Sequence, residues 1–547
     1  MTPQFSFDSP LSLWHAALVL GPVLSTGCAA LIARPGAATA SAWRASRFAA
    51  NSGLCFAALS LLVVLAGQSG TGLWLRADAA GALMMLLVAF VGWVIVRYSQ
   101  PYLNGEREER HYVRWLMATL ASVSLVVATN NVAVLVAAWT ASSLALHRLL
   151  VFFSARPPAI VAAHKKFIVG RAADLCMLAA AALLYSAFET FQIDRIMAEA
   201  ARAAAQPFAV QAATLLIVAA ALLKCAQLPF HGWLIQVMEA PTPVSAFLHA
   251  GVVNLGGFVL IRFAPLVNDL LAAQALLVMA GAATAVLAAL VMTTRISIKV
   301  MLAWSTCAQM GFMLMECGLG AWDMALLHLL AHSLYKAHAF LSAGGAVRRT
   351  QLDQLTPQAA TPGALALAVG ALMGVATTLA AGSLAGSLFA MLLPTHAAAS
   401  PGIWVLAGIL ALALVPLVHG QSLRLGGWWL PVLGLSAFGT AFAYFALHAV
   451  FSTWVLPSAA ATPTALWVTV AVAFSLLFLM QSVITVAPRS AVVRGLYPFF
   501  FGGLFLDEKF SRLAFRLWGP PVPTVATTPL PLADAGTAFD TATTGAH

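Results

Sequence analysis

The sequence predicts an all-α polytopic membrane protein of about fifteen transmembrane helices, from its composition, its apolar runs and the placement of its charges. Of 547 residues, 61% are hydrophobic and 8% are charged, which is far more apolar than a soluble domain. Apolar runs of about 20 residues, the length that crosses a bilayer, recur along almost the whole chain. Most Lys and Arg residues lie between these runs.

Fifteen apolar stretches are the predicted spans, numbered in chain order. They lie within residues 11–33, 48–67, 78–96, 113–129, 131–153, 167–188, 208–228, 243–263, 270–292, 297–318, 322–345, 363–394, 402–420, 427–450 and 465–487. The first ten residues lack the basic start of a cleavable signal peptide, so the N-terminus is expected to be retained.

Basic residues predict the orientation of the chain in the membrane. Loops after odd-numbered spans are rich in Lys and Arg, as in Arg107, Arg110 and Arg114 after the third span, whereas loops after even-numbered spans are poor in them. By the positive-inside rule, the N-terminus lies outside, and the odd-numbered loops and the C-terminus lie in the cytoplasm. Topology thus explains the net charge of +10, and no nucleic-acid partner is expected.

The six cysteines are scattered through apolar segments, with no CxxC pair and no Cys/His cluster in the sequence. This spacing argues against a disulfide framework and against a metal site, so the cysteines are interpreted as small apolar packing residues. Neither a cofactor nor a catalytic site is predicted in this chain.

Ionisable residues inside spans are costly and are usually paired, hydrated or functional. Lys224 lies five residues before Pro229, which cannot donate to a carbonyl one turn back, so the helix is predicted to break about one turn after the lysine. Pro241 and Pro243 predict a second irregular stretch, close to His249. The alternative for Lys224 is a side chain that snorkels to the membrane interface.

His328, His332 and Lys336 are spaced i, i+4, i+8 and therefore share one helix face, about 6 Å apart along the axis. Imidazole titrates near neutral pH and a desolvated ammonium can release its proton, so this row predicts a proton relay. A single histidine in a span would more often be a satisfied core residue. Arg171 and Asp174, spaced i, i+3, can pair, either as a structural ion pair or to shape the path.

Four segments together resemble the proton-pumping membrane subunits shared by respiratory complex I and the Mrp-type sodium/proton antiporters. The segments are "KCAQLPFHGWLIQVMEAPTPVSAFLHAGVVNLGGFVLIR", "MLAWSTCAQMGFMLMECGLGAWDMALLHLLAHSLYKAHAFLSAGGAV", "ADAAGALMMLLVAFVGWVIVRYSQPYLNGE" and "FIVGRAADLCMLAAAALLY". The resemblance implies two inverted repeats of five helices each, around a hydrated polar axis. It also implies a proton path made of a first-repeat lysine, a bridging histidine and a central row, which would be Lys224, His249, His328, His332 and Lys336.

The same resemblance divides the chain into N-terminal helices (1–110), a first inverted repeat (111–265), a second inverted repeat (266–420) and C-terminal helices (421–490). Residues 491–519 mix aromatic and basic side chains and are predicted to form an amphipathic cytoplasmic segment, at the interface or against a partner. The Pro/Ala/Thr-rich tail, 520–547, is predicted to be disordered.

Two departures from the family pattern stand out. The glutamate that the family carries after the tryptophan of its fifth helix is replaced by Thr140, so we expect Asp174 or Glu239 to approach Lys224 instead. The twelfth stretch holds no ionisable residue, although the family normally has one there.

One branch of the family fits these losses, the membrane subunits of DAB-type inorganic-carbon accumulation systems. The resemblance to this branch implies coupling of proton or sodium entry to CO2 hydration on a cytosolic, β-carbonic anhydrase-like zinc subunit of the DabA type. Two alternatives stay open: an Mrp-type antiporter or complex I pumping subunit, and an inert membrane anchor that has kept the fold.

Overall fold

The computed structural model describes residues 11–203, 205–354, 363–392, 401–425, 430–453 and 462–518. Within these ranges the chain is a helical bundle, and twelve helices are long and apolar enough to cross a membrane. The three other predicted stretches are also helical, as Phe208–Lys224, Trp322–Leu341 and Pro401–Leu425. The predicted fold class is confirmed, whereas the tail predicted for 520–547 lies outside the described residues.

We number the fifteen bundle helices and two C-terminal helices in chain order. They are α1 (Leu13–Ile32), α2 (Thr39–Leu65), α3 (Ala79–Tyr102), α4 (Glu109–Ala128), α5 (Val132–Leu150), α6 (Pro157–Phe188), α7 (Phe208–Lys224), α8 (Thr242–Arg262), α9 (Leu271–Met292), α10 (Ile298–Gly318), α11 (Trp322–Leu341), α12 (Ala364–Leu392), α13 (Pro401–Leu425), α14 (Leu430–Phe451), α15 (Thr464–Val486), α16 (Ala491–Phe501) and α17 (Leu506–Trp518).

Short elements join these helices. Single-turn or two-turn helices cover Ile193–Ala200, Gly232–Gln236, Ala264–Asn268 and Ala346–Gln354. Turns of 3₁₀ helix cover Val237–Glu239, Val252–Asn254, Ala343–Gly345 and Gly503–Phe505, and the second of these interrupts α8. An antiparallel hairpin pairs Gly70–Thr71 with Arg76–Ala77.

The loops meet on two faces. Loops after even-numbered helices form what we call the opposite face, where Leu75 bridges Thr129 and Asn131 bridges Gln192. Loops after odd-numbered helices form the basic face, where Arg110 donates to a carbonyl of the loop after α1 at 3.0 Å. The alternation expected of a chain that crosses the membrane at each helix is therefore present.

A partly buried ion pair links α8 to the start of α3 at the opposite face. Arg262, at the end of α8, donates to the Asp78 carboxylate at 2.5 Å, and Arg76 lies 2.9 Å from the same carboxylate. Asp78 also caps α3 by accepting from the Gly81 amide. Burial alone would raise the pKa of Asp78, but the Arg262 and Arg76 charges outweigh it and hold that pKa below its ordinary value.

Helices α9 and α10 pack with their backbones in close approach. A Cβ added at Gly281 would lie 2.5 Å from the Gly311 carbonyl oxygen, and one added at Gly311 would lie 2.6 Å from that of Gly281. Small residues permit such close approach between membrane helices, where packing replaces the hydrophobic effect as the driving force. These two glycines therefore fix the position of α10, which contacts the polar row on α11.

We predict that Gly311→Leu lowers the stability of the bundle by about 1–3 kcal/mol, the usual cost of overpacking a filled interface. Thermal unfolding of the detergent-solubilised protein measures it. Gly439→Leu on α14 is the matched control, because a Cβ added at that position would have no other atom within 4 Å. Equal unfolding temperatures for both variants would contradict the close packing.

Candidate functional site

Lys224 is the last residue of α7, and its side chain is buried. Its ammonium lies 3.4 Å from the Ser142 hydroxyl and 4.3 Å from the centre of the Trp139 ring. Among the described residues it forms no ion pair. A hydroxyl and an aromatic face therefore hold this lysine, which does not snorkel to the interface.

The helix break predicted at Pro229 is confirmed, and it begins directly after Lys224 rather than one turn later. Pro229 has no N–H to continue the helix, so the chain is irregular over residues 225–231. The Leu228 amide donates instead to the Thr284 hydroxyl on α9, at 3.2 Å. The break thus links α7 to the second half of the bundle.

A second buried lysine shares this site. Lys166, on α6, donates to the carbonyl and the hydroxyl of Ser143, at 2.5 and 2.9 Å. Lys166 and Lys224 line a small cavity, here called the lysine cavity, of about 10 Å³, close to the room that one water needs. Lys166 could not be distinguished in the sequence, because "HKK" adjoins the basic loop after α5.

Arg171 and Asp174 form the predicted ion pair, with 2.7 Å between guanidinium and carboxylate. Thr140 lies next to the Asp174 carboxylate. Asp174 is also the carboxylate that acts most strongly on the Lys224 ammonium, although the two are not in contact. Asp174 therefore interacts with Lys224 electrostatically, as predicted, but at a distance too long for an ion pair.

The prediction that Glu239 approaches Lys224 is wrong. Glu239 lies on the basic face, partly exposed, 3.7 Å from Arg156 of the loop after α5. The short helix that follows the break carries it outward, away from the buried lysine.

Pro241 and Pro243 do not break a helix, and this prediction is also wrong. Pro241 is the N-cap of α8 and Pro243 lies in its first turn, where a missing N–H costs no hydrogen bond. The irregular backbone of α8 lies further on, at Val252–Asn254.

The predicted row lies on one face of α11. His332 and Lys336 are buried and His328 is partly buried. The two imidazole rings are 6.1 Å apart, and Lys336 donates to the Leu302 carbonyl on α10 at 3.2 Å. Within the described part of the chain Lys336 has no carboxylate in ion-pair contact. Proton transfer along this row stays a prediction.

His249 faces the row from α8. It is fully buried, its ring stacks on Phe340 at 4.4 Å, and its carbonyl lies 3.3 Å from Nε2 of His332. Neither ring nitrogen of His249 has a hydrogen-bond partner among the described residues. Leu248 and Val252, its neighbours on α8, line the lysine cavity. Helix α8 therefore separates that cavity from the row.

Glu316 is a buried carboxylate that sequence analysis does not single out. It lies on α10 with its carboxylate 3.0 Å from Nδ1 of His328. The sequence does contain a sign of it, because Glu316 is the only charged residue in the apolar run "MGFMLMECGLG". The row therefore has a carboxylate at the end that points to the opposite face.

The C-terminal segment predicted for 491–519 packs on the bundle of its own chain. The Asp507 carboxylate accepts from the buried Lys165 ammonium at 2.6 Å and from the Gln236 amide at 3.1 Å. The Trp518 ring stacks on His164 with 3.7 Å between centroids. Helices α16 and α17 thus cover the basic face beside the broken helix.

The family described as NADH:quinone oxidoreductase/Mrp antiporter, TM matches residues 129–386. The chain is 36% identical over 550 residues to the probable inorganic carbon transporter subunit DabB2 of Halothiobacillus neapolitanus, an alignment that covers 95% of this chain and 96% of that protein. It is 52% identical over 287 residues to the probable inorganic carbon transporter subunit DabB of Hydrogenovibrio crunogenus, with 52% of this chain and 55% of that protein aligned. NADH-quinone oxidoreductase subunit L of Mycobacterium tuberculosis is 34% identical over 283 residues, 51% of this chain and 44% of that protein. The chain thus spans about half the length of the last two relatives.

Solved structures share the fold. The Mrp complex from Dietzia sp. superposes with a TM-score of 0.55 at 25% identity, covering 92% of this chain and 56% of that one. The archaeal membrane-bound sulfane sulfur reductase superposes with a TM-score of 0.56 at 18% identity, covering 92% and 99%.

We predict that Asp507→Asn destabilises the protein by on the order of 2 kcal/mol, because it leaves the Lys165 ammonium buried without its charged partner. The double variant with Lys165→Met should recover most of that loss. Thermal unfolding in detergent provides the measurement. Glu508→Gln is the control, since its partner Arg512 is exposed and such surface ion pairs contribute little to stability. An equal shift in unfolding temperature for the control and for Asp507→Asn would contradict this account.

Proposed function

This chain belongs to the DabB branch of the NADH:quinone oxidoreductase/Mrp antiporter family, and we propose that it is the proton-conducting membrane subunit of a two-component inorganic-carbon accumulation system. Its role is to couple proton entry to CO2 hydration on a cytosolic partner. Support for the carbon substrate comes from the DabB relatives, which carry that function in their names.

The observation that carries the proton assignment is the row on α11. Three titratable side chains lie at successive turns on the inward face of α11, and the innermost, Lys336, contacts a backbone carbonyl rather than a carboxylate. A buried ammonium held by neutral groups can give up its proton without leaving an unpaired anion behind. Such residues at membrane depth usually mark ion paths.

The path runs between two sites on either side of α8. The lysine cavity holds Lys224, and the row holds His332 and Lys336, with the unpaired His249 ring between them. In each transfer one nitrogen gives its proton to the next and can then accept another. The net charge of the path therefore changes only when a proton enters or leaves it.

The hydration chemistry belongs to the partner. Attack on CO2 needs a metal-activated hydroxide, typically on zinc, and we assign that zinc to a β-carbonic anhydrase-like subunit of the DabA type. In the ranges that the structure describes, no three His, Cys, Asp or Glu side chains come together as a metal site. The partner would dock on the basic face, which the positive-inside rule places in the cytoplasm.

Protons would leave the row near Lys336 toward that partner. Helix α11 begins at the opposite face, so Lys336 lies closer to the basic face than His328 does. Helix α12 contains no ionisable residue that could extend a path across the second repeat. An antiporter or respiratory subunit, the second candidate, is favoured by the likeness to the Mrp complex and to subunit L, and it would move protons or sodium without a hydrating partner.

We predict that Lys336→Met and Lys224→Met each abolish inorganic-carbon uptake while the protein still inserts in the membrane. Removing a buried ammonium that has no carboxylate in contact should not harm folding, and replacement by arginine should also fail because arginine keeps its proton. Uptake of labelled bicarbonate, normalised to the amount of folded protein, measures this. Lys509→Met, an exposed lysine on α17, is the control. Uptake at the wild-type rate by either methionine variant would defeat the proton path and favour an inert anchor.

We predict that this chain and its candidate partner together restore growth at ambient CO2 to cells that lack carbonic anhydrase, and that neither does so alone. An uncoupler should remove the rescue, because proton entry drives hydration in one direction. Rescue by this chain alone, or rescue that an uncoupler leaves intact, would contradict the mechanism. Sodium/proton exchange by the chain in vesicles without a partner would instead support the antiporter.

A further inference from the structure

Two acid–histidine pairs continue the α11 row to the opposite face. Asp323, in the first turn of α11, contacts Nδ1 of His448 on α14. One and a half turns deeper, the Glu316 carboxylate contacts Nδ1 of His328 at 3.0 Å. Asp323, His328, His332 and Lys336 therefore span about 20 Å of the helix axis.

Tyr444 of α14 is a further buried polar residue near the two pairs. It lies within electrostatic reach of both Glu316 and Asp323. Its hydroxyl is buried and has no hydrogen-bond partner among the described residues, and the same holds for Nε2 of His328. Buried polar groups are usually hydrogen-bonded, so these two free atoms are candidates for carrying a proton between the surface pair and the deeper pair.

Exposure decreases along the row in one direction. The side chains of Asp323 and His328 are 13% and 12% exposed, whereas His332 and Lys336 are 5% and 0% exposed. The row is therefore most exposed at the end that lies toward the opposite face and most deeply buried at Lys336. Helix α12 offers no alternative, since it has no ionisable residue.

We propose that the Asp323–His448 pair is the proton-loading site of the row and that Glu316 and His328 pass each proton on to His332. The inference rests on the proposed function, which it deepens by naming the entry. The pair takes one proton from water at the opposite face, hands it through Tyr444 or a water to the deeper pair, and is restored by the next proton. Among the described residues, His448 on α14 contacts Asp323, and Tyr444 on α14 and Glu316 on α10 lie within electrostatic reach of it.

The test uses the complete two-subunit complex in cells, with inorganic-carbon uptake measured against external pH. Asp323→Asn and His448→Gln should each lower uptake at neutral pH on the order of tenfold or more, as expected when a proton-transfer group is lost. Uptake should recover toward low external pH, where protons reach the inner groups without the pair. Asp323→Glu should retain the wild-type profile. Asp269→Asn, an exposed carboxylate on the same face, is the matched control and should change nothing.

The outcomes separate this inference from the proposed function. If Lys336→Met is inactive but Asp323→Asn and His448→Gln keep both the rate and the pH profile of the wild type, the loading site is overturned and the proposed function stands. If Lys336→Met transports normally, both fall. If Asp323→Asn fails to fold, a wild-type pH profile in folded His448→Gln overturns the proposal by itself. A lowered uptake rate that does not recover at low external pH also overturns it. Such a result indicates a structural defect, whose effect does not depend on external protons.

Discussion

The bundle depends on holding ammonium groups at membrane depth without a carboxylate in contact. Insertion of a lysine at the centre of a span costs about 2.5–3.5 kcal/mol, so its surroundings must supply polar contacts. Lys224 has a hydroxyl and an aromatic face, Lys166 has a carbonyl and a hydroxyl, and Lys336 has a carbonyl. A carboxylate in contact would favour the charged form and hold the proton, whereas neutral contacts leave it exchangeable.

The irregular stretches of α7 and α8 follow from the same constraint. Each interruption frees backbone groups at a depth where no lipid can satisfy them, and each is repaired by a neighbouring element. The Cys225 thiol after α7 donates to the Val253 carbonyl in α8 at 3.2 Å. The side-chain amide of Asn254 donates to the Ala250 carbonyl of α8 at 3.1 Å and to the Ser333 hydroxyl on α11 at 2.6 Å. The repairs connect the lysine cavity to the row through polar contacts, so the two sites are structurally coupled across α8.

Periodicity and proline chemistry predict much of this arrangement from the sequence. The fifteen helical stretches, the break at Pro229 and the common face of the α11 row all depend on local rules. The roles of Asp507 and His448 could not be predicted in this way, because their partners are distant in the sequence and only the tertiary fold brings them together. Glu316 had a signal of its own, as a carboxylate in an apolar run, whereas Lys166 had none, because it adjoins a basic loop. Proline at the start of α8 was ambiguous, because the same residue ends one helix and begins another.

The chemistry of the row also distinguishes between the two candidate ions. Hard metal cations such as sodium need several oxygen ligands at once, as carboxylates, carbonyls or water. The row offers mainly nitrogen, and its oxygens are already engaged: Glu316 contacts His328, and the carbonyls of His249 and Leu302 contact His332 and Lys336. A sodium ion would have to displace those contacts and would then lie beside a lysine that repels it, whereas a proton needs only one nitrogen at a time. The side chains that make the row continuous therefore suit a proton better than sodium, as the proposed function requires.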